Sequence, residues 1–536
     1  MKRLLVVVLL VVAALVAPAA ASAAGQSHLK AVAAGTHGRA ASGAVPQRRA
    51  LDARAEARAK AAANARAGTT QARPGAALVG AMFAPISFRS WNGLADTSGS
   101  PSDSTGAIGP TRYIELVNRK FGIYSRTSNV PLSSGTLVGL TGTAGATNNV
   151  FDPQIIWDNQ TQRFYYASDN IVDSTHNFLM FGWSKTATPA SGSSADWCKY
   201  ALGYGTPFPD FPKLGDSFYF MMLGVNVFAN NGSGGYLGSD ILAFNKPAAG
   251  TTCPSPPTVT RRAGVKDAGG VNPAFTPTPA NEIDNVATGY AIARSAGLPA
   301  SFLTLFRITR SATGTPVIPA NGVSVTVPSY GVPADAPTPG FTQRTDTSDT
   351  RPTQAVVAID PNRGRPGFGA VALWMQHTTL GGAGAEVRWY EINPVATVPT
   401  LFQSGKVTST TLYNFNAAIS PDRVANGSTR AFGQNMVMTF NTSSSTVIPR
   451  IQVVSKLGAS LQSTPVLIKA STGGNTDFTC PTTSSVCRWG DYSAATPDPL
   501  ALTTGTAGAV WITNQWNILG NPTGVVWRTW NAAITP

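Results

Sequence analysis

The chain has 536 residues, 43% of them hydrophobic and only 12% charged, with 53 glycines and 39 prolines. That length and apolar content are enough for a sizeable core and exclude a wholly disordered chain. The formal net charge of +14 does not mark a nucleic-acid binder. About +7 of it sits between residues 24 and 78, where Lys30, Arg39, Arg48, Arg49, Arg54, Arg58, Lys60, Arg66 and Arg73 face only Asp52 and Glu56, and no basic stripe with interleaved aromatics follows.

Residues 1–23 read as a signal peptide. Lys2 and Arg3 open it, Leu4 to Val16 are apolar, and Ala21-Ser22-Ala23 supplies a small-residue cleavage pattern. The apolar run is about 13 residues, short of the ~20 that span a bilayer, so export with cleavage is expected and no membrane span. Residues 24–78 are Ala- and Arg-rich with almost no aromatic content, which predicts a basic disordered spacer. Within it the Ala-rich stretch Arg49 to Arg66 suits a solvated helix. A flexible linker or removable pro-segment is the expected role, with a basic arm on an anionic cell envelope as the alternative.

Residues 79–536 are crowded with Thr, Ser, Gly, Asn and Pro between short β-branched and aromatic runs, a pattern of strands rather than helices. Hairpins are predicted for Ile155 to Ala167 and for Ala355 to Trp374, across turns rich in Asn, Asp and Gly. Strand units start near Gly106, Phe151, Leu214, Asn285, Gln354, Asn416 and Gly490, roughly 45 to 75 residues apart. The expected fold is an all-β propeller of seven four-stranded antiparallel sheets, with six or eight as alternatives. Phe83 to Trp91 is placed as the outer strand of the last sheet, where it would close the ring and remove an edge. The four cysteines allow three pairings; Cys198 with Cys253 and Cys480 with Cys487 are favoured because each pair flanks one loop.

Residues that open an innermost propeller strand face the central channel, which singles out Arg488, Trp489, Asp491 and Tyr492. Arg488 suits a carboxylate or phosphate, Asp491 sugar hydroxyls, and Trp489 an apolar sugar face. The alternative is a structural Arg488–Asp491 pair with Trp489 packed between sheets. Asp152, Asp216 and Asp491 open three units at corresponding places and are expected at the channel mouth. There they would serve as ligands for Ca²⁺ or as acid and base at a glycosidic bond, unless each only binds turn amides. Asp96 and Asp103 bound a Ser/Gly segment that is a weaker candidate for Ca²⁺; otherwise no cofactor is expected. The sequence has no nucleophile elbow, His-Glu-x-x-His, P-loop or dinucleotide fingerprint.

Several stretches carry a resemblance: Asp103-Ser-Thr-Gly-Ala-Ile-Gly-Pro-Thr-Arg-Tyr113, Phe211-Pro-Lys-Leu-Gly-Asp-Ser-Phe-Tyr219, Asp346-Thr-Ser-Asp-Thr-Arg-Pro-Thr-Gln354, Glu386-Val-Arg-Trp-Tyr-Glu391, and Arg488-Trp-Gly-Asp-Tyr-Ser493 followed by Asp498-Pro499. In these the chain resembles a largely uncharacterised family of secreted bacterial β-propeller proteins. The resemblance implies a propeller, export, and association with cell-surface or sugar-processing proteins, but no established reaction. Sialidases are a more distant comparison, in which Arg112, Arg351, Arg388 and Arg488 would gather on a substrate carboxylate near Tyr492 or Tyr113; their Ser-x-Asp-x-Gly-x-Thr-Trp repeats are missing. The expected function is a secreted, monomeric binding or scaffold module for a glycan or an extracellular protein. The alternative is a glycoside hydrolase or lyase, with Asp152, Asp216 and Asp491 as acid/base residues and Arg351 and Arg488 positioning substrate. Two-carboxylate catalysis would place a pair about 5 to 9.5 Å apart across an open cleft, whereas a structural role would pair each acid with an Arg or with amides.

Overall fold

A computed structural model of the chain describes residues 25–35, 39–40, 48–67, 83–96, 99–145, 147–248, 250, 252–482, 485–500, 505–518 and 527–536. The expected signal peptide, residues 1–23, lies outside them. The fold is mostly β and propeller-like, and among the described residues seven sheets have four or more strands. In chain order their innermost strands are Thr105–Ile108, Thr147–Asp158, Phe208–Asp216, Ala274–Pro279, Ala355–Arg365, Tyr413–Pro421 and Ala494–Pro497. Each leads outward through antiparallel neighbours. Both predicted hairpins are present, with Asp158 opposite Arg163 and Arg365 opposite Gly369. No helix among the described residues is long and apolar enough to cross a membrane.

The middle strands read as near-continuous apolar runs because both of their faces are covered. In the second sheet Phe164 and Tyr166 pack toward the first sheet while Tyr165 and Ala167 pack toward the third, the alternation that a period of two dictates. In the third sheet Leu223 and Val225 face the second sheet, and Phe220 and Met222 the fourth. Further apolar layers join the fourth sheet to the fifth, the fifth to the sixth and the sixth to the seventh. The last layer joins the seventh to the first through Trp91, Trp511, Tyr113 and Tyr124.

That last contact depends on the expected closure. Ile86–Asn92 pairs antiparallel with Trp527–Thr535, from Asn92 opposite Trp530 to Ile86 opposite Thr535, so the seventh sheet takes its outer strand from the opposite end of the body. Other edges are covered as well. Ser27–Lys30 pairs with Thr258–Arg262 at the rim of the third sheet, and Val32–Ala33 with Trp197–Gly205 at the rim of the second, which blocks strand addition by another chain. The disulfides are Cys198–Cys253 and Cys480–Cys487, the favoured pairing.

The fourth sheet departs from the sequence reading by one strand: its innermost strand is Ala274–Pro279, and the expected start at Asn285 precedes the second strand, Gly289–Ser295. Pro277 and Pro279 argue against a strand in sequence terms, because proline cannot donate to the ladder. Here Thr276 and Pro277 fall in a register shift that leaves them out of the pairing. If closure of the ring holds the fold, Trp91→Ala should cost about 3–5 kcal/mol in chemical denaturation, as expected for a large buried aromatic. A loss below about 1 kcal/mol would mean that the strand merely lies on the rim.

Candidate functional site

The innermost strands surround a narrow central cavity of about 20 Å³, lined from six of the seven sheets by residues such as Gly106, Gln154, Lys213, Thr278, Gln354 and Ser493. Toward one end of this cavity the inner strands bulge in the same way. Asp152-Pro153, Phe211-Pro212, Thr276-Pro277 and Asn416-Ala417 are each an inner-strand pair skipped by the register. Their first residues have φ of 51°, 58°, 55° and 49°, values uncommon for side chains other than glycine. Such bulges re-aim a side chain out of the alternating pattern. Buried amides hold them in place: Asp152 N donates to Asn118 Oδ1 at 2.8 Å and Thr276 N to Asn226 Oδ1 at 2.9 Å.

Over this end lies the segment expected to be a spacer. Its helix α1, Ala53–Arg66, begins at Asp52, whose side chain accepts the Ala55 amide at 2.9 Å. The expected helix is therefore present, and one face of it is turned to the body rather than to solvent. Arg48 donates to both oxygens of Asp346, at 2.6 and 3.0 Å, and reaches Asp491 at 3.3 Å. Arg49 donates to Asp210 at 2.7 Å and to Gly232 O at 2.8 Å, with its guanidinium 4.5 Å above the Phe208 ring. Lys60 bonds Asp335 at 2.6 Å and Thr347 at 3.0 Å, and Asn64 both donates to the Asp335 carboxylate and accepts its amide. These contacts are nearly closed to water: the Arg48 side chain is 9% exposed and that of Asp491 3%.

Charge balance explains the protonation states. Burial alone would raise the Asp346 carboxyl, but Arg48, then Lys60 and Arg488, hold it well below the usual range. Burial likewise opposes ionisation of Asp349, and Arg351, with Arg294 and Arg48, overrides it. Asp152 and Asp169 go the other way. Burial pushes both well up, and neighbouring carboxyls, Asp103 and Asp210 for the first and Asp152 and Asp210 for the second, push them further. Burial also lowers Lys213 to about 7.

The sequence candidates are only partly brought together. Asp491 lies at the mouth, paired with Arg488 at 2.8 Å as well as with Arg48, and its amide donates to Asp103 at 2.6 Å. Arg351 is fully buried, bidentate on Asp349 at 2.7 and 2.8 Å, and donates to Arg49 O at 2.8 Å. Tyr492 is buried edge-on against Phe211 at 5.5 Å. Trp489 is 1% exposed, its indole N–H on Asn441 and its ring against Phe415 in an apolar cluster that includes Ala63 of α1, so it has no face open to a sugar. Asp216 does not join Asp152 and Asp491. It ends its strand instead of opening it, and is locked to Lys246 at 2.9 Å and to the Glu282 amide at 2.7 Å. By the shared bulge, the residue of the third sheet that corresponds to Asp152 is Phe211, directly after Asp210.

Of the two weaker metal candidates, Asp103 is bound by Asn118 at 2.5 Å and Asp96 stands 3.8 Å from Lys120. Arg112 bonds Pro189 O and Arg388 pairs with Glu386, so neither is in the mouth network with Arg351 and Arg488. Sequence reasoning missed Arg48, Arg49, Lys60, Asp169, Asp210, Asp346 and Asp349 as site residues. The only available signal was the density of Asp and Arg in Asp346-Thr-Ser-Asp-Thr-Arg351.

No protein-family model matches the chain, and no curated protein does. Solved structures show faint likeness. Trypanosoma rangeli sialidase in complex with sialic acid aligns at a TM-score of 0.34 and 10% identity, over 72% of this chain and 54% of that one, so the chain spans about half of the sialidase. An ACO/RPE65 chimera aligns at 0.34 and 11%, over 70% and 73%. An exo-β-1,3-galactanase from Clostridium thermocellum aligns at 0.28 and 9%, over 81% and 95%.

Arg351 and Asp349 form a fully buried pair, so removing one partner strands the other's charge. Arg351→Met should cost about 3–5 kcal/mol in chemical denaturation. A change near zero would show that Arg294, 3.6 Å from Asp349, suffices alone.

Proposed function

We propose that the seven sheets are the blades of a closed propeller, and that the protein is a secreted, non-catalytic binding module whose acidic mouth takes a cationic segment of a protein partner. Two disulfides favour an oxidising, extracellular setting. The carrying observation is the occupant of the mouth: Arg48 bridges Asp346 and Asp491 while Arg49 neutralises Asp210. Buried carboxylates left without a counter-ion are costly, so this recess selects guanidinium or ammonium groups. Its own N-terminal segment fills it in cis, and the partner's segment competes for the same acids.

The second reading, a glycoside hydrolase or lyase, draws on the raised Asp152 and Asp169 carboxyls. Against it stand Asp216 and Asp491, each already committed to a cation, and a mouth closed by Arg48 and Arg49.

The test is a labelled peptide of residues 44–67 titrated into the mature full chain and into its Arg48→Ala/Arg49→Ala variant. By fluorescence anisotropy the variant should bind at least ~10-fold more tightly than the wild type, since its site is not filled in cis, and the affinity should weaken as salt rises. Equal binding to both proteins, or to neither, would contradict the reading. Release of reducing sugar from polysaccharides by the variant would favour the hydrolase instead.

A further inference from the structure

Beneath Arg49, three carboxylates from three strands converge. Asp152 lies in Thr147–Asp158 and Asp169 in Arg163–Ile171 of the second sheet, and Asp210 lies in Phe208–Asp216 of the third. One oxygen from each lies within 4.8 Å of those of the other two, and the three residues are only 4%, 0% and 2% exposed. Proximity of acids alone proves little, since acidic groups often cluster without a ligand.

The hydrogen bonding supplies the independent observation. Among the described residues, both oxygens of Asp169, Oδ1 of Asp152 and Oδ2 of Asp210 have no hydrogen-bond donor. Buried carboxylates normally collect donors, and here four oxygens of three clustered carboxylates have none. The cations nearby do not fill that role. Arg49 takes the other oxygen of Asp210. Lys213 holds its ammonium 3.5 Å above the Tyr492 ring and makes no hydrogen bond to the acids.

We infer that Asp152, Asp169 and Asp210 form a binding site for a single hard divalent cation, with Ca²⁺ the best fit. All the donors are oxygens, which select Ca²⁺ or Mg²⁺ over thiophilic and imidazole-seeking metals. Ca²⁺ binds oxygens at about 2.3–2.6 Å, so ligands on opposite sides stand roughly 4.6–5.2 Å apart, a span that matches this cluster. Mg²⁺ needs tighter octahedral contacts and keeps several waters, which a fully buried cluster accommodates poorly. The ion ties the second sheet to the third at the axis and leaves the second Asp210 oxygen for Arg49. This site is distinct from the Asp96–Asp103 loop, and it does not depend on what occupies the mouth.

The experiment uses the mature full chain. Metal content is measured as isolated, then after EDTA stripping and reloading with Ca²⁺, Mg²⁺ or Mn²⁺ singly, together with terbium luminescence competed by Ca²⁺. One ion per chain is expected, with Ca²⁺ preferred over Mg²⁺ by at least ~10-fold, and a thermal midpoint that rises by at least ~2 °C when Ca²⁺ is 100-fold above its Kd. Asp169→Asn should weaken Ca²⁺ binding by at least ~10-fold and abolish the thermal shift. A wild-type protein that holds no divalent ion as isolated and takes none after stripping overturns the inference, whether or not the variant folds. Wild-type affinity in a folded Asp169→Asn variant overturns it equally.

Discussion

Closure of the ring governs the molecule. Ile86–Asn92 lies beside Trp527–Thr535, and Trp91 completes the apolar layer between the seventh and first sheets. An open stack of twisted sheets would leave two broad apolar faces exposed; the closed one leaves only rims. Closure also forces the innermost strands to share one axis, and their bulges then turn side chains toward each other at one end. Asp152 lies in one of these bulges and Asp210 directly precedes another, so the ring gathers buried acids at this end.

Concentrated buried charge has to be balanced, and the molecule uses three devices. Some acids have a cation from the body, such as Asp349 with Arg351 or Asp216 with Lys246. Others, Asp346, Asp210 and Asp335, receive theirs from a segment far away in sequence, and Asp491 shares Arg48 of that segment with Arg488 of the body. In the third group, Asp152 and Asp169, Oδ1 of the first and both oxygens of the second have no donor among the described residues. The second device stands apart, since Arg48, Arg49 and Lys60 belong to a short stretch that lies outside the seven sheets.

What the sequence made legible follows from local physics. Strand periodicity, turn chemistry, the closing strand and the two loop-flanking disulfides were readable because each is set by residues close together in the chain or by a plain need to bury an edge. The innermost strands were harder. Pro209, Pro212, Pro277 and Pro279 break the usual strand signal, so the sequence places the start of the third sheet at Leu214 and of the fourth at Asn285, each later than the observed strand. Proline survives there because the bulge removes residues such as Pro212 and Pro277 from the ladder. The docking of residues 48–67 left no local signature at all: an Ala-rich, Arg-rich stretch looks solvated, and the acids that bind it lie in distant loops. Asp169 was equally hidden, since an aspartate within a strand gives no hint that it will face two others across a sheet boundary.

Hydrogen–deuterium exchange across residues 48–67 tests this account most directly. A 14-residue helix with little apolar surface is marginal by itself in water, so slow exchange can come only from docking. The account predicts strong protection of the α1 amides in the wild type and its loss in Asp346→Asn/Asp491→Asn, while the sheets stay protected. Exchange of α1 in the wild type at the rate of the free peptide would contradict it.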